Sequence, residues 1–234
     1  MQRRLLGLEG LVLAIIGTGC GATMSQSIPR ASHDYALQER VAQVGARLLA
    51  AAGHADSATW HFSVYDDPQL GAVVSESGSI AVEAGLARRL FNDELAAVIA
   101  HEASHVLLAH ANRRFMAWFL TQLAVSGTTV GLSVATDMPV WAGILTFFGL
   151  EIASIYPNAG YARSLESDAD EYGLRLLCGA GFPSDAMTRM LEKVQAYFAD
   201  VPGMGEGTSA LASHPETALR IARIQSLAPQ YCTR

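Results

Sequence analysis

The stretch LAAVIAHEASHVLLAHANRR, residues 95–114, decides how the rest of the chain is read. No Gly or Pro interrupts residues 93–113, and Leu95, Val98, Ile99, Val106 and Leu107 recur at helical spacing. Asn92 stands before them as a good N-cap, so a helix over 93–113 is expected. Inside it, HEASH, residues 101–105, places two histidines at i and i+4, which share one helix face. His101 and His105 therefore aim two imidazoles at one point, as a tetrahedral zinc ion requires. Glu102 sits beside them, where it can take a proton from water activated by the metal. The competing reading, two surface histidines on a polar helix, fits badly with flanks this apolar.

Outward from that helix, the composition sets bounds. The 234 residues, half of them hydrophobic, suffice for one domain with a full core, or one domain with a short appendage. A net charge of −6 without basic clusters argues against a nucleic-acid partner and against simple electrostatic membrane binding. No repeat or low-complexity tract is visible. The N-terminus reads as an export signal: Arg3 and Arg4, then an apolar run over 5–16 marred only by Glu9, then Gly17-Thr18-Gly19-Cys20. A small residue before Cys20 is similar to the bacterial lipobox, which would make Cys20 a lipidated mature N-terminus; Gly17 departs from that pattern, and an ordinary cleaved signal or an uncleaved anchor are the alternatives. Gly21 in place of Asp favours the outer membrane by analogy. The expected division is a signal segment over 1–20, a linker over 21–33 and a catalytic domain over 34–234. With Cys20 lipidated, Cys178 and Cys232 remain as an even pair in an oxidising compartment; a disulfide between them and two separate thiols are both open readings.

Leu37, Val41, Val44 and Leu48 follow helical spacing and open the domain with an amphipathic helix. Trp60, Phe62 and Val64 alternate with polar residues up to an Asp66-Asp67-Pro68 turn, and residues 72–74 and 79–82 read as two more short strands. Together they predict a small antiparallel sheet beside the histidine helix, with an edge strand that could hold an extended peptide. The run RSLESDADEYGLRLL, residues 163–177, is again helical and places Glu166 and Asp170 on one face. A Glu ligand, with a carboxylate one turn on to accept the free N–H of a liganding imidazole, makes a coherent metal site. Taken alone, the four acids of this run could equally coat an exposed helix, and Asp168 and Glu171, off that face, are expected to be solvated.

HEASH, ARSLESDAD (162–170) and SHPETALRIARI (213–224) occur in the order and spacing of one gluzincin family. That family includes the CAAX prenyl endopeptidases, the HtpX-like membrane proteases and the bacterial Oma-type periplasmic peptidases. Its pattern is H-E-x-x-H, then E-x-x-x-D, then His-Pro with Arg-Ile a few residues on, and the resemblance spans roughly residues 35–227. It implies a predominantly helical α+β zincin-like fold. It implies one zinc ion held by His101, His105 and Glu166, with Glu102 as general base and Asp170 supporting a ligand from behind. The chain looks most like the small lipoprotein members. Protein or peptide substrates, an exported periplasmic location and envelope protein quality control follow as expectations.

A tetrahedral oxyanion needs a second donor besides the metal. His214 in the third motif is the candidate and Tyr161 a weaker one; Ser213-His214-Pro215-Glu216 also matches a capping box with Pro in the first turn. His33, His54, His61 and His110 show no partner pattern and are expected to be ordinary residues. Residues 116–136 and 138–150 carry no charge apart from the intervening Asp137. They are expected to form two buried or interfacial helices over the active-site helices, with membrane helices as the alternative. Pro157 and Asn158-Ala159-Gly160 are expected to mark a loop into the Glu166 helix, and Ser184 to cap a further one. Beside the endopeptidase reading stand an integral membrane protease of the same family and a catalytically silent metal-binding or chaperone-like module.

Overall fold

The computed structural model describes residues 30–54, 60–68, 70–75, 77–136, 139–200 and 217–232. Its first helix, α1 (Tyr35–Ala51), starts where the Asp34 carboxylate accepts the Leu37 N–H at 3.1 Å. It buries Leu37, Val41, Val44 and Leu48 along one stripe. Gly45 on this helix makes room for the Phe62 ring of the first strand, which would have to shift because a Cβ there would lie 2.3 Å from it.

The strands are β1 (His61–Tyr65), β2 (Ala72–Val74) and β3 (Ser79–Glu83), in the order β1-β3-β2. The sheet is mixed, which corrects the antiparallel expectation: β2 and β3 pair antiparallel through a tight turn, but β1 runs parallel to β3 in the register His61↔Ser79 to Tyr65↔Glu83. Alternation of apolar residues identifies a strand and its buried face but not its neighbour. Gln38 of α1 covers the outer edge of β1, accepting the Val64 N–H at 3.0 Å.

A short helix α2 (Ala84–Arg89) leads into α3 (Asn92–Leu107), the HEASH helix. Every residue from Glu94 to Ser104 is buried, so α3 is the central rod of the core rather than an amphipathic surface helix. Its cap differs from expectation. Asn92 is the first helical residue and its side-chain oxygen accepts from Arg40 Nε at 2.6 Å, while Glu94 accepts the Phe91 N–H at 2.8 Å.

The helix expected over 93–113 is broken. α3 stops at Leu107, and Ala109 has φ 52° before α4 (His110–Thr136) begins. A left-handed Ala costs about 1–2 kcal/mol, and no Gly or Pro announces the break. α5 (Val140–Gly179) then runs unbroken through residues 157–160, so the expected loop is absent. A proline in a helix forfeits one backbone bond at about 3 kcal/mol, which a ladder this long on both sides can carry.

Where their side chains are described, most large apolar residues of the two runs between the motifs are open, Val125 excepted. Leu120 and Leu123 of α4 are 55% and 60% exposed, and Ile144 and Leu145 of α5 are also open. The segment His110–Leu132 is long and apolar enough by length and composition to cross a membrane. Hydropathy reports a need to leave water and does not say what provides the cover.

The C-terminal half of α5 packs on α3, with Gly173 allowing the approach: a Cβ there would lie 3.2 Å from the Ala100 carbonyl carbon. Helix α6 (Ala186–Asp200) buries Met187, Met190, Leu191 and Val194 and is tied to the start of α3 by Lys193–Glu94 at 2.6 Å and by Arg189–Asp93. Helix α7 (Thr217–Tyr231) lies against α5 and α6, and Cys178 is bonded to Cys232 with a Cα–Cα distance of 5.3 Å. Of the two readings left open for these cysteines, the disulfide is the one in the structure.

Candidate metal centre

Helix α3 presents His101, Glu102 and His105 from one turn, and α5 brings Glu166 across to them. His101 Nε2 lies 3.2 Å from His105 Nε2 and 3.4 Å from Glu166 Oε2, and His105 Nε2 lies 3.6 Å from Glu166 Oε1. A tetrahedral ion with arms of about 2.05 Å separates its ligands by about 3.3 Å, so these three donors are spaced for one. The donor set, two imidazoles and one carboxylate with potential ligand atoms all within 4.8 Å, suits a borderline-soft divalent cation.

Behind His101 stands a charged chain. Its Nδ1 is 3.0 Å from Asp170 Oδ1, and Arg220 of α7 holds Asp170 bidentately, Nε to Oδ2 and Nη2 to Oδ1, each at 2.7 Å. All three side chains are buried. Burial opposes ionisation of Asp170, but the hydrogen bonds from Arg220 and His101 prevail and hold its pKa near 2. An Asp170 carboxylate fixes the proton of His101 on Nδ1 and leaves Nε2 open toward the donor cluster. Burial also works against charge on His101, yet the hydrogen bonds to Asp170 and Glu166 raise its pKa to about 9.

Glu102 is 6% exposed, and burial pushes its carboxyl up to about 7; His101 pulls the other way and Glu166 adds to the rise. His105 is backed by another imidazole, with His110 Nδ1 2.9 Å from His105 Nδ1. Burial keeps His110 below the usual imidazole range, with Arg113 contributing.

Of the residues singled out in the sequence, the structure brings together His101, Glu102, His105, Glu166 and Asp170. His214 and Cys20 lie outside the described residues, as does the side chain of Tyr161. Two expectations are corrected. His110 is a buried neighbour of the site and not an ordinary residue, because the break at Ala109 turns it back. Glu171 is not merely solvated: it accepts from Arg175, Arg223 and Tyr231 and links α5 to α7. Arg220 escaped the sequence reading, although it is the Arg of the Arg-Ile pair in the third motif.

The chain matches peptidase family M48 over residues 36–228. It belongs to that family. Among curated relatives, it is 28% identical over 191 residues to the mitochondrial metalloendopeptidase OMA1 of Schizosaccharomyces pombe, covering 81% of this chain and 52% of that one. It is 29% identical over 204 residues to a putative beta-barrel assembly-enhancing protease of Vibrio cholerae, covering 85% and 40%. It is 26% identical over 212 residues to Metalloprotease YcaL of Escherichia coli, covering 91% and 78%. The chain thus spans about half the length of the first two relatives. Membership places the chain among the gluzincin metallopeptidases, and His101, His105 and Glu166 form a group that could hold a metal ion.

Proposed function

We propose that this protein is a zinc-dependent endopeptidase of the bacterial cell envelope, cutting unfolded or misassembled proteins and anchored at the outer membrane through lipid on Cys20. The observation that carries the catalytic reading is the convergence of His101, His105 and Glu166 with the buried Glu102 on the same helical turn. Relatives named beta-barrel assembly-enhancing protease support the envelope and the substrate class.

A zinc ion held by His101, His105 and Glu166 would supply Lewis acidity toward the scissile carbonyl and bring the pKa of water from about 16 toward 7. Glu102 takes the proton of the attacking water and returns one to the leaving amine; a carboxyl poised near 7 suits both transfers. Asp170, clamped by Arg220, orients His101. His214 is the donor assigned to the substrate oxyanion. The outer strand β2, with Val73 exposed, is the element suited to hold an extended peptide by strand addition.

Zinc content and casein cleavage of the purified protein, measured beside Glu102→Gln, test this. Stoichiometric zinc in both with cleavage only by the wild type is expected. Zinc without cleavage in either would favour the catalytically silent module, and no zinc in either would sink the reading. A second reading, a protease embedded in the membrane, is favoured by the exposed apolar length of α4. Expression without residues 1–20 separates the two: leaving the membrane fraction without detergent supports the lipid anchor, and a continued need for detergent supports insertion.

A further inference from the structure

We propose that His110 is the positioning residue for the second imidazole ligand, fixing the tautomer of His105 by accepting its Nδ1 proton. The inference rests on the metal reading above. His105 turns Nε2 toward His101 and Glu166, so that nitrogen must carry a lone pair for a cation to bind. In a neutral imidazole the proton then sits on Nδ1. Nδ1 of His105 faces Nδ1 of His110 at 2.9 Å, with the two rings nearly perpendicular at 77°. Two facing nitrogens can share only one proton. His105 donates, His110 accepts, and the proton of His110 lies on Nε2. That nitrogen is buried and has no partner among the described residues, and the ring as a whole is 1% exposed. A buried polar atom left unpaired is tolerated where the other end of the same side chain has a task.

The backbone supports the same reading. On a continuous helix, residues five apart point roughly 140° away from each other, so His110 would face away from His105. Ala109, in the left-handed region at φ 52°, breaks the helix and returns His110 to its neighbour. Strain of this kind next to a site is retained when the geometry that it creates is used. The two histidine ligands are therefore supported unequally: His101 by a carboxylate paired with a guanidinium, His105 by a neutral ring.

The full chain is compared as wild type, His110→Asn and His110→Leu. Asn offers an oxygen close to the position of Nδ1, and Leu offers no acceptor. Zinc affinity, read by competition with a chromophoric chelator, is expected to fall about 10–100-fold in His110→Leu and to return to within about threefold of wild type in His110→Asn. Long-range 1H–15N spectra of the zinc-loaded wild type should show His105 protonated at Nδ1 and His110 at Nε2. Equal affinity in His110→Leu and wild type would overturn the proposal, as would failure of Asn to do better than Leu. Should His110→Leu not fold, the spectra decide: a proton on Nδ1 of His110 overturns the proposal. A wild type that binds no zinc overturns the metal reading itself, which separates that failure from the failure of His110.

Discussion

Glu102, Asp170 and Arg220 show how single side chains set the chemistry. Replacing Glu102 with Gln removes the proton acceptor while preserving shape, so cleavage should fall by at least 100-fold with zinc content unchanged, as read by turnover against metal analysis. Arg220→Met leaves the Asp170 carboxylate buried without its partner. Uncompensated buried charge typically costs about 3–5 kcal/mol, so a large drop in Tm and weaker metal retention are expected. Arg220→Lys should recover little, because one ammonium cannot reproduce the two 2.7 Å bonds made by the guanidinium. Most of this level was legible in the sequence, since i and i+4 spacing turns directly into shared direction on a helix. Arg220 and His110 were not, because their partners lie across a tertiary contact or beyond a helix break.

At the level of elements, the decisive event is the interruption between α3 and α4. Ala109→Gly removes the left-handed penalty and should raise Tm by about 2–4 °C without altering metal content, measured by thermal unfolding. A loss of metal on that substitution would mean that the stiffness of Ala109 itself holds His110. The hydrophobic patterns of α1, α3 and the strands were readable, and their spans match expectation to within a few residues except at the end of α3. The pairing of β1 with β3 was not, because alternation carries no information about neighbours. The exposed run of α4 was recognised as apolar, but its surroundings depend on what else is available to cover it.

Across the whole molecule, α7 is held to α5 by the Cys178–Cys232 bond and by Glu171, which receives Tyr231 at 2.8 Å, Arg175 at 2.6 Å and Arg223 at 2.9 Å. This docking carries Arg220 into the site. Closing a loop of 54 residues contributes about 4 kcal/mol in the chain-entropy account, so Cys232→Ser or a reducing agent should lower Tm and loosen metal retention together. Hydrogen bonding from Tyr231, aided by Arg175, holds the carboxyl of Glu171 below its ordinary 4.5. Its stabilising contribution is therefore complete above about pH 5 and is lost as the pH falls through the lowered value. Glu171→Gln should flatten the dependence of Tm on pH below about 5, and an unchanged slope would count against this linkage.

The sequence by itself determined the helices, the short strands and the faces on which His101, His105, Glu166 and Asp170 lie, because each follows from periodicity within one element, while the α+β class came through the family resemblance. Only the tertiary structure decided the convergence of α3 with α5, the clamp of Arg220 on Asp170, the return of His110 to His105 and the exposure of α4. Those depend on contacts between residues far apart in the chain, and on a backbone turn that Ala109 makes without any residue type to announce it.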